Sequence, residues 1–262
     1  MTYKLIEPNA SGTGLYFQSG NEDLPMDKLQ SFWPLRNATE TNSVSPDLLG
    51  ACPMISTSTA APVTLRAASN PCGGSLGSFD TGGNACWWES AVSGDAYFGE
   101  NKSQPWWMSF WFYPRAATTT ISIFIARYPG SGDGPYSGWR LYWNNSTNTL
   151  NFDSYVNATA TTYTATSGNT GTNDAWNFGM IGSDGTDMFV TLNGGTMVEV
   201  THTIVVPSST ASMRFGKYVY AGSNLDGMVC DLSYWINTAA NPTATEIAAL
   251  YNLGNGNTLL GG

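Results

Sequence analysis

Between residues 106 and 236 apolar and aromatic side chains recur at every second position in a succession of short runs, a period that suits strands and not helices. Met108, Phe110 and Phe112 alternate with Ser109, Trp111 and Tyr113, so both faces are apolar or aromatic, as in a central strand. Pro114 ends that run. Ile121, Ile123 and Ile125 share one face of the next. Trp139, Leu141 and Trp143 share a face of another, with Arg140 and Tyr142 opposite, and a polar turn over Asn144 to Asn148 leads to Leu150 and Phe152.

Trp176, Phe178 and Met180 alternate before a Ser183-Asp184-Gly185 turn, and Met188, Val190 and Leu192 follow. Asn193-Gly194 is a two-residue hairpin signal, because both residue types tolerate positive φ. Val198, Val200, His202, Ile204 and Val206 then share one face, with Glu199, Thr201 and Thr203 on the other. The last runs place Met213 with Phe215, and Met228 with Cys230, Leu232, Tyr234 and Ile236. Many strands separated by turn signals predict an all-β, antiparallel two-sheet jelly-roll sandwich. One short C-terminal helix is expected: Thr243 caps it, Glu246 sits three residues on, Ile247, Leu250 and Tyr251 form a stripe, and Gly254 stops it. Residues 1–30 carry turn formers without a sustained period and read as an N-terminal arm or lead-in; residues 31–262 read as the sandwich.

Charged residues make up 11% of the chain, so Asn, Ser, Thr and Gly carry the polar balance, a composition suited to turns and strand faces. The net charge of −9 repels phosphate backbones and anionic lipid, which argues against nucleic acid and membranes as partners. No run of 18 apolar residues is present. Residues 1–8 hold no apolar leader, from which the expectation is either a removed leader and an extracellular location, or a virion protein released by lysis. Cys52, Cys72, Cys86 and Cys230 show no CxxC pairing and there is one His, so zinc is weakly supported; disulfides in three connectivities and free buried thiols both stay open.

The order of these runs resembles laminin-G-like domains of the concanavalin A-like lectin/glucanase superfamily. Trp107 to Pro114 resembles the opening central strand, and Ser78-Phe79-Asp80-Thr81-Gly82 a preceding turn, with Thr81 in place of the first Gly. Gly138 to Tyr142, Asp174 to Phe178, Phe189 to Gly194 and Met213 to Gly216 are similar to successive family strands, with Asn177 where His is common. Leu225 to Trp235 and the helix from Thr245 to Gly254 look like the family's closing elements. Phe32-Trp33-Pro34-Leu35 is similar to the family's start, without its acidic residue, so the resemblance covers about residues 31–256. It implies the jelly-roll fold and says little of function, since the fold hosts lectins, enzymes, adhesion modules and virion proteins.

Glycoside hydrolysis needs two carboxylates about 5 to 9 Å apart. The resemblance implies that glucanases of this fold carry them in one E-x-D-x-x-E strand, and no such run is present. Asp184 and Asp187 flank a turn, and lone His202 lies among valines with no G-x-S-x-G elbow, so the chain is read as non-catalytic. The resemblance implies a Ca²⁺ at the sandwich edge in some members, for which Asp133, Asp184, Asp187 and Asp231 are the candidates, although none lies in a D-x-D-x-D-G loop.

Sugars are recognised by exposed rings that stack on them. Trp87, Trp88, Trp106, Tyr136, Tyr142 and Trp143 are the candidates for glycan or partner contact, and pleating sends one ring of each adjacent pair outward. The favoured reading is a structural component of a virus particle, a phage capsid decoration (cement) or tail-fibre protein, forming a homo-oligomer and joining other virion proteins through the arm. The alternative is a carbohydrate-binding, lectin-like or adhesion module of a secreted protein.

Overall fold

The structure is a computed structural model that describes residues 5–6, 15–16, 26–33, 44–45, 47, 49, 52–58, 79–80, 86–93, 105–115, 121–127, 138–156, 161–202, 212–216, 227–236, 238 and 240–253. From residue 106 onward most of its strands fall where the period of two predicts them. The early ones are short: β1 (Leu5–Ile6), β2 (Leu15–Tyr16), β3 (Leu29–Trp33), β4 (Val44–Ser45), β5 (Met54–Ser58) and β6 (Phe79–Asp80). Longer strands follow as β7 (Cys86–Ser93), β8 (Trp106–Pro114), β9 (Ile121–Arg127), β10 (Gly138–Asn144) and β11 (Thr149–Val156). The last are β12 (Thr161–Thr166), β13 (Asn177–Ser183), β14 (Asp187–Leu192), β15 (Val198–Thr201), β16 (Ser212–Phe215) and β17 (Gly227–Ile236), before helix α1 (Ala244–Leu253).

Two antiparallel sheets result. One runs β12-β11-β10-β9-β16-β7-β5-β4 and the other β15-β14-β13-β8-β17-β3, with β6 also on β17; β1 and β2 pair separately. The two-faced apolar pattern of β8 now has its cause. Trp106, Met108, Phe110 and Phe112 enter the core between the sheets, with Trp139, Leu141, Trp143, Leu150 and Phe152 from the other side. Trp107 and Trp111 point the opposite way, into a second apolar layer with Phe178, Met180, Phe189 and Trp235 that Ile247 and Leu250 of α1 cover. The helix therefore occupies the outer face of the seven-stranded sheet, and the outer face of the eight-stranded sheet is where polar side chains emerge.

The helix start is the expected reciprocal cap. Thr243 Oγ1 accepts from the Glu246 N–H at 3.2 Å, while Glu246 Oε2 accepts from the Thr243 N–H at 2.6 Å. Thr243→Ala is expected to cost about 1 kcal/mol in urea unfolding. Replacing the neighbouring exposed Thr245 by Ala is expected to leave stability within about 0.5 kcal/mol.

Asn193 and Gly194 take φ of 53° and 67°, as a type I′ turn requires. The strands do not rejoin at once, however: residues 195–197 are irregular and pairing resumes at Val190 with Val198. The turn itself closes, the Gly195 N–H donating to the Leu192 carbonyl at 3.0 Å, and Asn193 extends the pairing with β13, its N–H donating to the Phe178 carbonyl at 2.8 Å and its Oδ1 accepting from the Phe178 N–H at 2.8 Å. Of the described cysteines, Cys52 is buried and outside any disulfide, while Cys230 is disulfide-bonded.

Candidate binding site

The turn over Asn144 to Asn148 fixes a register in which Asn144 faces Thr149, Tyr142 faces Asn151 and Arg140 faces Asp153. Because side chains alternate, Trp139, Leu141 and Trp143 fill the core while Arg140 and Tyr142 emerge beside Asn151, Asp153 and Tyr155. The next strand adds Thr164 opposite Asp153 and Thr166 opposite Asn151. Two neighbouring strands and a Thr-rich edge thus assemble one polar field.

Its anchor is Asp153. Arg140 donates to Asp153 Oδ2 through Nε at 2.9 Å and Nη2 at 2.8 Å; the Tyr155 hydroxyl donates to the same oxygen at 3.3 Å. The Thr164 hydroxyl donates to Oδ1 at 2.7 Å. The carboxylate side chain is only 2% exposed and that of Arg140 22%, so this pair is desolvated enough to hold one geometry. Arg140 is in turn bracketed by two half-buried rings, its guanidinium carbon lying 5.1 Å from the centroids of both Tyr142 and Tyr155. Along the same face Thr166 Oγ1 donates to Asn151 Oδ1 at 2.7 Å, and Asn151 Nδ2 reaches the Thr149 carbonyl and hydroxyl at 3.1 Å each.

Burial pushes the Tyr142 phenol above its ordinary pKa of 10.0; the Asp153 carboxylate adds to this and Arg140 partly offsets it. The folded state therefore holds this proton more tightly than the unfolded chain does. Its contribution is whole below about pH 10 and is lost as pH rises through the raised value. The stability difference between wild type and Tyr142→Phe is expected to shift against the wild type from pH 9 to 11, read from urea midpoints.

The same sheet row continues from Arg140 across Ala126 to Arg214 and Glu89. Arg214 Nη2 lies 3.1 Å from Glu89 Oε1, and Ser212 donates to that oxygen at 2.6 Å. Asp153 and Glu89 are four strand spacings apart, about 19 Å. Both carboxylates are committed to arginines.

Several ring candidates prove to be core. Trp88 and Trp143 are fully buried, and Trp106 is buried against Trp139 with centroids 5.6 Å apart. The gap between two sheets of this span needs large rings to fill it, which is why these tryptophans turn inward. The Trp143 indole N–H is spent on Asn173 Oδ1 at 2.7 Å. Of the described candidates, Tyr142 alone stands on the open face; the Trp87 side chain and Tyr136 lie outside the described residues. The signal that could have found Asp153 and Tyr155 was present: through the turn, they fall in phase with Arg140 and Tyr142.

The acidic candidates do not converge. Asp184 Oδ1 accepts from the Thr186 and Asp187 N–H groups at 2.8 Å each, a turn-closing role. Asp231 sits at a bulge in β17 with φ of 47°, beside Cys230, which pairs with Trp111; the Asp184 turn follows Ser183, which pairs with Trp106. Those points are five residues apart along β8, about 17 Å. Asp133 lies outside the described residues, and among the described residues no three His, Cys, Asp or Glu cluster as metal ligands would. The described candidates Asp184 and Asp231 therefore do not share one Ca²⁺ site. His202 is buried, its Nε2 3.1 Å from Ser183 Oγ, with its backbone N–H on the Thr186 carbonyl. That pair joins the ends of β13 and β15.

Comparison with known proteins agrees with this architecture. Trypanosoma rangeli sialidase in complex with 2,3-difluorosialic acid superposes with a TM-score of 0.59 at 13% identity, covering 96% of this chain and 36% of that one. The receptor-binding domain of botulinum neurotoxin mosaic serotype C/D gives 0.60 at 13% identity, over 86% of this chain and 51% of that one. Domain 4 of a GH43 extracellular arabinanase from Geobacillus stearothermophilus, in complex with arabinotriose, gives 0.53 at 15% identity, over 86% and 98%. The chain thus spans about a third of the sialidase and half of the neurotoxin domain. At such identities the likeness is one of fold. A search of curated protein sequences returns no match. The model of the concanavalin A-like lectin/glucanases superfamily matches residues 90–249, and on that match, with its sheet order and closing helix, the chain belongs to that superfamily.

Proposed function

We propose that the chain is a non-catalytic carbohydrate-binding module whose site is the outer face of the eight-stranded sheet around Arg140, Tyr142 and Tyr155. The observation that carries this reading is the Tyr142–Arg140–Tyr155 stack, held on Asp153 and partly open to solvent. Rings offer faces for stacking on a sugar, and the exposed Thr164 and Thr166 hydroxyls beside them offer hydrogen bonds to its hydroxyls. Because Asp153, Asn151 and the threonines already bond to one another, the face is ordered before any ligand arrives, which lowers the entropy lost on binding.

The non-catalytic half of the proposal is supported by the state of the two described carboxylates on this face. Their separation of about 19 Å exceeds the 5 to 9 Å or so that glycoside hydrolysis uses. The arabinanase domain, whose length the chain covers almost fully, was solved with arabinotriose, so the fold accommodates a saccharide without the rest of an enzyme.

The test is a glycan array followed by calorimetry, with Tyr142→Ala and Tyr155→Ala beside the wild type. Each substitution is expected to weaken binding about fivefold or more, since a stacked ring contributes on the order of 1 kcal/mol or more. The rings Tyr113 and Trp176, half-buried and 5.7 Å apart on the other sheet, supply the control. Loss of binding in Tyr113→Ala and Trp176→Ala with none in the first pair would move the site off this face.

A further inference from the structure

We infer that this face selects neutral saccharides and discriminates against acidic ones, an inference that rests on the proposed glycan-binding reading and names the class of its ligand. The fold's neighbours include proteins solved with acidic sugars, so the point is not given by the fold and must come from the charges here.

An arginine recognises a carboxylate or sulfate when its charge is available, with its planar edge offered to two oxygens at once. Arg140 presents the opposite case. Its Nε and Nη2, one such edge, are both turned to Asp153 Oδ2. Its guanidinium carbon also lies 5.1 Å from the ring centroids of both Tyr142 and Tyr155. The second arginine on the row, Arg214, spends Nε and Nη2 on Glu89 Oε1 at 3.2 and 3.1 Å. The row therefore holds two guanidinium groups and two carboxylates, and sums to zero.

The local field agrees. At the Tyr142 hydroxyl the Asp153 carboxylate outweighs the Arg140 guanidinium, and both act in the same direction on a bound sugar acid as on a phenolate. Over longer range the chain carries 19 acidic against 10 basic residues, which slows the approach of anions. What the face retains is aromatic surface, together with the exposed Thr164 and Thr166 groups that match uncharged hydroxyls. A neutral sugar meets no electrostatic penalty there and an acidic one does.

The experiment uses matched probes on the full chain: galactotetraose against tetragalacturonic acid, and N-acetyllactosamine against its α2,3-sialylated form, each titrated by calorimetry at low and high salt. Neutral members are expected to bind at least about tenfold more tightly than their acidic partners, the worth of one unit charge at this distance and intermediate screening. Their affinity is expected to change less than about twofold between 50 and 500 mM salt, because no ion pair is formed. Asp153→Asn leaves Arg140 uncompensated and is expected to narrow the neutral-to-acidic ratio about tenfold. If that variant fails to fold, the wild-type ratio and salt dependence decide alone. Preference for the acidic members, or for a salt-sensitive complex, overturns the inference and leaves the glycan-binding reading standing. A folded Asp153→Asn protein with an unchanged ratio also overturns it. Binding of none of these, nor of any glycan on the array, overturns both.

Discussion

Trp139→Ala is expected to lower stability by about 4 kcal/mol, among the largest losses available to a single side chain in this protein. Trp139 is fully buried, stacks on Trp106 and meets Phe152 edge-on with centroids 5.9 Å apart, so truncation removes contacts from both sheets at once. The β10 backbone is hydrogen-bonded on both sides, to β9 and β11, and cannot collapse into the space. A fall in Tm on the order of 8 to 16 °C follows for a chain of this size. Tyr142→Ala, three residues on and facing the other way, is expected to cost about 1 kcal/mol or less. Equal losses at the two positions would mean that β10 does not present the faces described, and the assignment of the core would fall with it.

The second large effect concerns charge. Asp153→Ala strips four hydrogen bonds from a 2%-exposed site and leaves a guanidinium that is mostly desolvated without its counter-ion. The expected cost is about 3 kcal/mol, discounted from the cost of orphaning a fully buried ion because Arg140 keeps some contact with water. The double replacement Arg140→Met with Asp153→Val is expected to recover at least half of that loss in the same unfolding assay, since two apolar side chains are cheaper to bury than one unpaired ion. A double variant no more stable than Asp153→Ala would show that the pair itself, and not the orphaned charge, was the source. Glycan affinity is expected to be lost in both, which separates the stability of the face from its chemistry.

Much of the architecture was legible because a period of two assigns faces directly. The two apolar faces of β8, the inward set of β10 and the capped helix all follow from spacing in the sequence. Two kinds of information were not. Strand β12, Thr-Thr-Tyr-Thr-Ala-Thr, has too few apolar residues to announce itself and is recruited by pairing with β11. Nor does an indole declare which face it takes: Trp88, Trp106 and Trp143 read as candidate surface rings and are core, because inter-sheet packing decides the matter. The binding field is a product of cross-strand register, so Arg140 and Asp153, 13 residues apart, become partners only once the intervening turn is known. The virus-particle reading, with the oligomer and location it implied, drew on residues 1–30, on the polar β-type composition and on the fold, and none of these neighbours speaks for it.

The reciprocal cap at Thr243 also marks a boundary. Everything beyond it that is described is one amphipathic helix, and beneath that helix lie Trp107, Trp111, Phe178 and Trp235. Severing the polypeptide just ahead of residue 243 would turn a finished outer surface into an oily sheet, prone to self-adhesion and precipitation. A fragment trimmed to the strands alone would lose solubility before it lost secondary structure, so the closing helix acts as this sandwich's own built-in chaperone.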